Sequence, residues 1–290
     1  MAKKLGNQKE ADRLAEEWAD RAIASGALLK SNAWGSVGQT LTRLGFHDEA
    51  LEWLAKAYEA DHRFYRDYVV GLARDQRYLL ATDICKTELT DTRNPEALAL
   101  MVDVMVLAGT GTTFPEENEK LIAAATKQSQ QVPRVIESIA TLRLSQQRYV
   151  DAVKLYVQAE KLAPKNVRIL NNLAMALSEV PGREKEAIPK IESAIEIFGR
   201  SPELLDTQGL VLLRNNLPAE ATAVLREATA VSDDPRYRFH LIMALLEQGD
   251  KKSAISNWAQ LDLRQLRKLP LTPGELTDLE SLKKEFGTSS

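Results

Sequence analysis

Between residues 31 and 62 the chain reads SNAWGSVGQTLTRLGFHDEALEWLAKAYEADH, with apolar and small positions recurring at three- and four-residue intervals on either side of a glycine. Trp34, Val37, Gly38 and Leu41 precede Gly45, and Ala50, Leu54 and Ala57 follow it. That spacing gathers apolar side chains on one face of a helix, so the stretch predicts two amphipathic helices joined by the short break LGFHDEA. The same columns return as Ile136, Ile139, Ala140, Ala152, Tyr156 and Ala159, then as Leu170, Leu173, Ala174, Leu177, Ala187, Ile191 and Ala194. They return again as Leu205, Gly209, Leu212, Ala221, Leu225 and Ala228, and finally as Leu241, Leu245, Ala254 and Trp258. The alanine column Ala152, Ala187, Ala221, Ala254 steps by 35, 34 and 33 residues, and Ala50 precedes Ala152 by 102. Two further units of the same length therefore fit in that gap. One helix pair cannot bury its apolar face alone, whereas stacked pairs share a continuous core.

The pattern resembles the tetratricopeptide repeat, a helix-turn-helix of about 34 residues. Small residues, here Gly38, Ala140, Ala174 and Gly209 on first helices and Ala50, Ala152, Ala187 and Ala221 on second helices, let the two helices approach closely. The resemblance implies an all-α, right-handed α-solenoid of tetratricopeptide helix pairs with a C-terminal capping helix. Residues 1–290 are read as one solenoid: a half-repeat at 8–25, repeats at 31–64, 65–94, 95–132, 133–166, 167–201, 202–234 and 235–268, and a capping helix at 272–286. The family pattern is carried by 31–64 and 133–268; over 65–132 only the period and the helical spacing of residues such as Val70, Gly71, Ala81 and Cys85 support it. Arg238 departs from it, standing in an apolar column, and Pro181-Gly182 lengthens one turn by a residue.

Both ends have their own signals. Ala15, Ala19 and Ala22 precede Ala50, Leu54 and Ala57 by 35 residues, which makes 8–25 the second helix of a repeat, in a chain cut from a longer array or opening on a half-repeat cap. In LTPGELTDLESLKKEFG, Thr272 is placed as N-cap, Pro273 in the first turn and Glu275 three residues on, with Leu271 and Leu276 spaced as a hydrophobic staple. Leu276, Leu279, Leu282 and Phe286 are expected to face the last repeat, and Glu275, Asp278, Lys283 and Lys284 to face outward.

Charge narrows the partners. With 38 basic and 41 acidic residues the net charge is −3, and no Lys/Arg block stands out, so a nucleic acid is not expected. Cys85 has no second cysteine to pair with, and His47, His62 and His240 are too far apart for zinc-ligand spacing; neither metal nor cofactor is expected. No stretch approaches the ~20 apolar residues of a membrane span, and the N-terminus lacks a signal-peptide core, so membrane insertion is not expected. The cytoplasm is the expected compartment, the alternative being a soluble envelope or periplasmic domain whose signal or anchor has been removed.

The glycine-threonine stretch AGTGTTFP (108–115) is where a phosphate loop could lie. It follows a helix instead of a strand, lacks a Gly-Lys-Ser/Thr, and is succeeded by Glu116, Glu117 and Glu119, which oppose an anion. It reads as a loop inside a repeat, with Gly109 ending one helix and Pro115 opening the next. Cys85 shares an apolar stripe with Ala81, Ile84 and Leu89 and reads as a buried hydrophobe. Trp18, Trp34 and Trp258 are expected in the core, with Trp53 partly exposed. No catalytic constellation emerges, and the chain is not expected to be an enzyme.

In solenoids of this family the first helices line a concave groove that receives a peptide or a partner helix. Projecting the helical period assigns to that groove Arg134, Glu137, Arg168, Asn171, Asn172, Met175, Asp206, Arg214, Phe239, His240 and Met243. Amides and guanidiniums there suit peptide backbone and carboxylates, and Met and Phe suit apolar side chains. The family's two-carboxylate clamp for chaperone tails is disfavoured, because only Asn172 fits it while Glu137, Thr141, Glu203 and Thr207 occupy the neighbouring positions. The expected function is a protein-interaction scaffold or adaptor; the alternative is a ligand- or peptide-sensing regulatory domain of a larger protein. The oligomeric state stays open.

Overall fold

The computed structural model describes residues 2–26, 28–109, 113–128, 131–269 and 271–287, and the chain falls into two compact units, Met1–Gln128 and Ser129–Ser290. The first contains α1 (Ala2–Ala24), α2 (Lys30–Leu44), α3 (His47–Ala60), a 3-10 turn at His62–Phe64, α4 (Tyr65–Arg74), α5 (Tyr78–Thr92), α6 (Pro95–Ala108) and α7 (Glu116–Gln128). The second contains α8 (Pro133–Ser145), α9 (Tyr149–Leu162), α10 (Val167–Ser178), α11 (Glu184–Phe198), α12 (Pro202–Arg214), α13 (Pro218–Val231), α14 (Pro235–Glu247), α15 (Lys251–Trp258), a short α16 (Leu263–Leu266) and α17 (Pro273–Phe286). No strand forms among the described residues. In both units consecutive helices pack as pairs, and in the second the first helices α10, α12 and α14 also pack on one another in series. This is the all-helical, helix-pair solenoid that the period predicts.

The helix boundaries have local causes. Asn94, Asn166, Ser201 and Asp234 accept from backbone N–H groups in the first turns of α6, α10, α12 and α14, and a proline opens α6, α8, α12, α13, α14 and α17. Several first helices end alike: Phe46, Arg77, Arg148, Leu217 and Asp250 each donate a backbone N–H to the carbonyl five residues back, the six-to-one bond of a Schellman turn. The residue before each of these donors has a left-handed backbone. Glycine supplies it at Gly45 and Gly249, whereas Gln76, Gln147 and Asn216 adopt φ near +58° without that freedom.

The small columns let the pairs close. Ala50, Ala81, Ala152, Ala187, Ala221 and Ala254 are all buried. A Cβ placed on Gly209 would stand 2.5 Å from Leu225 Cγ, and one on Gly38 would stand 2.6 Å from Leu54 Cγ. The central core of the second unit runs from Ile136 through Tyr156, Leu173 and Ile191 to Val211; a further cluster joins Leu213, Leu225, Phe239, Leu245 and Trp258 to Leu279 and Leu282 of α17.

Four expectations are corrected. Trp18 is 47% exposed, not a core residue, while Trp53 is buried, with the Lys56 ammonium 4.6 Å from its ring centroid. Leu276 is half exposed, so the staple with Leu271 does not cover it, and Glu275 turns inward instead of facing out. The capping box itself is present: the Thr272 hydroxyl accepts from the Glu275 N–H and the Glu275 carboxylate accepts from the Thr272 N–H. Arg238 is accommodated in its apolar column because its guanidinium reaches out to Asn257 and Gln260. Gly109 ends α6 with φ +64°, while Thr110, Gly111 and Thr112 of the loop lie outside the described residues.

Candidate functional site

The first helices α8, α10, α12 and α14 of the second unit build one continuous face. Each helix is held by the buried apolar stripe on its other side, which leaves a row of polar residues spaced by one repeat. Glu137, Asn171, Asp206, His240 and Glu275 are 34, 35, 34 and 35 residues apart. Buried polar groups must be paired, and most of this row is. The Arg168 guanidinium, more than half exposed, donates to the buried Glu137 carboxylate at 2.8 Å. Asp206 meets His240 Nδ1 at 2.7 Å, and His240 Nε2 meets the Glu275 carboxylate at 3.0 Å, with Arg236 3.8 Å from the same carboxylate.

Between these two buried groups the row opens. The Asn171 side-chain amide donates to the Asn172 side-chain oxygen at 3.2 Å, and the Asn171 side-chain oxygen accepts no hydrogen bond among the described residues. Asn172 hydrogen-bonds the Tyr156 phenol, which also meets the Thr141 hydroxyl at 2.8 Å. Burial raises the Tyr156 phenol above its ordinary range, so it stays neutral and serves to fix the amide. Met175 stands beside them, half-buried.

The other predicted groove residues separate from this set. Arg134 turns along its own helix to donate to the Ser138 hydroxyl at 2.6 Å, and Arg214 donates to Glu179 at 2.9 Å near the C-terminal ends of α12 and α10. Phe239 is 1% exposed and belongs to the core, so the expectation that its ring lies open in the groove is corrected. His240, Glu137 and Asp206 are likewise buried, offering internal contacts in place of open surface. Met243 is partly buried against the apolar cluster around Leu245. Asn171, Asn172, Met175 and Met243 are half-buried, and Arg168 and Arg214 keep more than half of their side chains exposed.

Electrostatics single out His240. Burial alone would lower its pKa, but the Asp206 charge and the hydrogen bonds to Asp206 and Glu275 outweigh it and hold the imidazole up to about 9. Burial would likewise raise Glu275; the His240 hydrogen bond and charge, and the Thr272 N–H, bring it down to about 2. Sequence reasoning missed Glu275 as a member of this network. The available signal was its repeat spacing from His240, masked by the exterior role that the capping-helix pattern gives it. Elsewhere, Cys85 is fully buried and its thiol is pushed up to about 12 by burial and by Glu88. Among the described residues no His/Cys/Asp/Glu cluster could hold a metal ion, and no helix is long and apolar enough to cross a membrane.

Residues 138–202 and 207–265 match the sequence model of the tetratricopeptide repeat. No curated protein matches the chain by sequence. Among solved structures the chain is similar to the crystal structure of yeast Tom70, with 18% identity, a TM-score of 0.58, and coverage of 96% of this chain and 59% of that one. It therefore spans about three fifths of the length of that structure. It is also similar to a tetratricopeptide repeat protein from Parabacteroides merdae, with 13% identity, a TM-score of 0.57, and coverage of 81% of this chain and 99% of that one. Repeat period, paired helices, sequence model and structural likeness agree: the chain carries tetratricopeptide repeats over residues 138–202 and 207–265 and has the fold of a tetratricopeptide repeat solenoid.

Proposed function

We propose that the chain is a protein-interaction scaffold whose C-terminal unit takes an extended peptide or a partner helix on the face around Asn171, Asn172 and Met175. The observation that carries this reading is the cluster of half-buried Asn171, Asn172 and Met175 on α10, with Asn171 bonded to an Asn172 amide that Tyr156 fixes. The partly exposed amides offer donors and acceptors that suit a peptide backbone. Met175 supplies an adaptable apolar contact next to them, and the exposed side of Arg168 can meet a carbonyl or carboxylate. A binder is favoured over a catalyst because the single thiol is buried and protonated and the single deeply buried histidine is saturated by two carboxylates.

The test is affinity capture of partners from the source organism, followed by measured binding of the captured protein to the wild type and to Asn171→Arg. Loss of affinity in the variant at unchanged melting temperature supports the face. Equal affinity would move the binding surface elsewhere.

A further inference from the structure

The N-terminal unit holds a concavity of about 320 Å³ between α2 and α4, lined by Gln39, Thr42 and Arg43 from one helix and by Asp67, Val70 and Arg74 from the other. Asp67 accepts from the Gln39 amide at 2.9 Å, so it is already engaged by a neutral donor. Arg43 and Arg74 have no acidic partner among the described residues. Three other arginines on first helices do: Arg168 is held by Glu137, Arg214 by Glu179, and Arg66 stands 3.9 Å from Glu96. Two guanidiniums without an acidic partner thus share one concavity.

The charge balance of the lining is two cations against one carboxylate, and each arginine lies in the last turn of its helix, where the dipole favours a cation. A guanidinium offers a planar fork that fits a carboxylate with two parallel hydrogen bonds. The Gln39 carbonyl oxygen and the free lone pairs of Asp67 can accept peptide N–H groups. Asp67 also disfavours a dianionic phosphate more than a single carboxylate. We propose that this concavity binds an acidic peptide, one glutamate carboxylate lying between Arg43 and Arg74 while Gln39 and Asp67 accept from the flanking backbone. The proposal shares with the function above the reading of the chain as a peptide binder, and its site is in the other unit. The chaperone-tail clamp combines lysine, asparagine and arginine from three repeats, whereas this lining has two arginines and neither lysine nor asparagine.

The full chain is titrated by fluorescence anisotropy with a fluorescein-labelled, end-capped peptide of alternating glycine and glutamate, and with its glycine/glutamine counterpart. Saturable binding of the acidic peptide is expected, with the neutral peptide at least about tenfold weaker. Arg43→Glu and Arg74→Glu should each weaken binding about tenfold, and Arg43→Lys less, since it keeps the charge and loses the fork. Arg77→Glu, outside the concavity, should change it less than about twofold. Arg43→Gln and Arg74→Gln repeat the test should a reversed charge disturb folding. No saturable binding, equal binding of the neutral peptide, or an equal loss in Arg77→Glu would overturn the site. Binding lost in Asn171→Arg but kept in the Arg43 and Arg74 variants would also overturn it, while leaving the C-terminal face standing.

Discussion

His240 on α14 and Glu275 on α17 face each other at 3.0 Å, and this contact fastens the capping helix to the last repeat through a buried charged pair. Asp206 on α12 holds the opposite edge of the same ring. Three elements are thus linked through one imidazole, and its protonation governs the link.

The sign of the pH dependence follows from the two shifts. His240 is raised from 6.5 to about 9, so its contribution is complete below about 6.5 and is lost as pH rises through 9. Glu275 is lowered from 4.5 to about 2, so its contribution is complete above about 4.5 and is lost as pH falls toward 2. Both are full between pH 4.5 and 6.5. The melting temperature of the wild type should fall from that plateau toward pH 10, by an amount on the order of 2–3 kcal/mol of stability. Glu275→Gln should lower the plateau and flatten the alkaline limb. A wild-type melting temperature that is level from pH 6 to 10 would contradict the pairing.

Gly209 of α12, packed on α13, and Gly71 of α4, packed on α3, predict opposite outcomes for the same substitution. In Gly209→Ala the new methyl meets the branch carbon of fully buried Leu225 at 2.5 Å, and that carbon cannot swing aside without moving the whole side chain. Overpacking of about 1–3 kcal/mol outweighs the helix-propensity gain of about 1 kcal/mol, so a net loss is expected. In Gly71→Ala the methyl meets only the terminal Leu51 Cδ1 at 3.0 Å and Leu54 Cδ1 at 3.6 Å, and stability should change little or rise. Urea unfolding of the two variants distinguishes the sites.

The capping helix gives a second contrast within one leucine pattern. Leu279 and Leu282 are buried in the cluster with Trp258 and Leu245, whereas Leu276 is half exposed. Leu279→Ala should cost about 2–5 kcal/mol, and Leu276→Ala well under that. Equal costs would mean that the helix lies on the repeat in another rotation. The Trp258 indole, which donates to the Gly287 carbonyl at 3.0 Å, provides a fluorescence signal for release of this end.

These outcomes show where the sequence was legible. The alanine and glycine columns revealed the helix pairs because a small residue at an interhelical contact has one physical reason to recur, and every alanine of the column is buried. The Thr272 capping box was legible because it is a local motif. The groove was less so: a helical period fixes the direction of a side chain but not how far the next repeat covers it. Asp206 is covered by His240 of the next repeat, and Phe239 is taken into the apolar core. Glu275 was assigned to the exterior by its own helix, although the buried cation on α14 supplies the free energy that draws it in. Trp18 and Trp53 exchanged roles because flanking packing, not spacing alone, decides which tryptophan is covered.

The binding face separates surface effects from folding effects once a partner is in hand. Asn171 is half-buried, with its side-chain oxygen accepting no hydrogen bond, so Asn171→Arg removes a contact without breaking an internal one other than the bond to Asn172. It should weaken partner binding by about 1–3 kcal/mol, the range for a lost or opposed polar contact in the centre of an interface. Glu192, on the second helix α11, carries no comparable expectation, and Glu192→Arg should leave the affinity within about 0.5 kcal/mol. Asp206→Arg is a poor probe of the same face, because it would place a cation against His240 and unfold the region before binding could be read. Affinities are therefore compared for Asn171→Arg and Glu192→Arg at matched melting temperatures. A larger loss in the α11 variant would place the partner on the second helices and remove the first-helix face from the function.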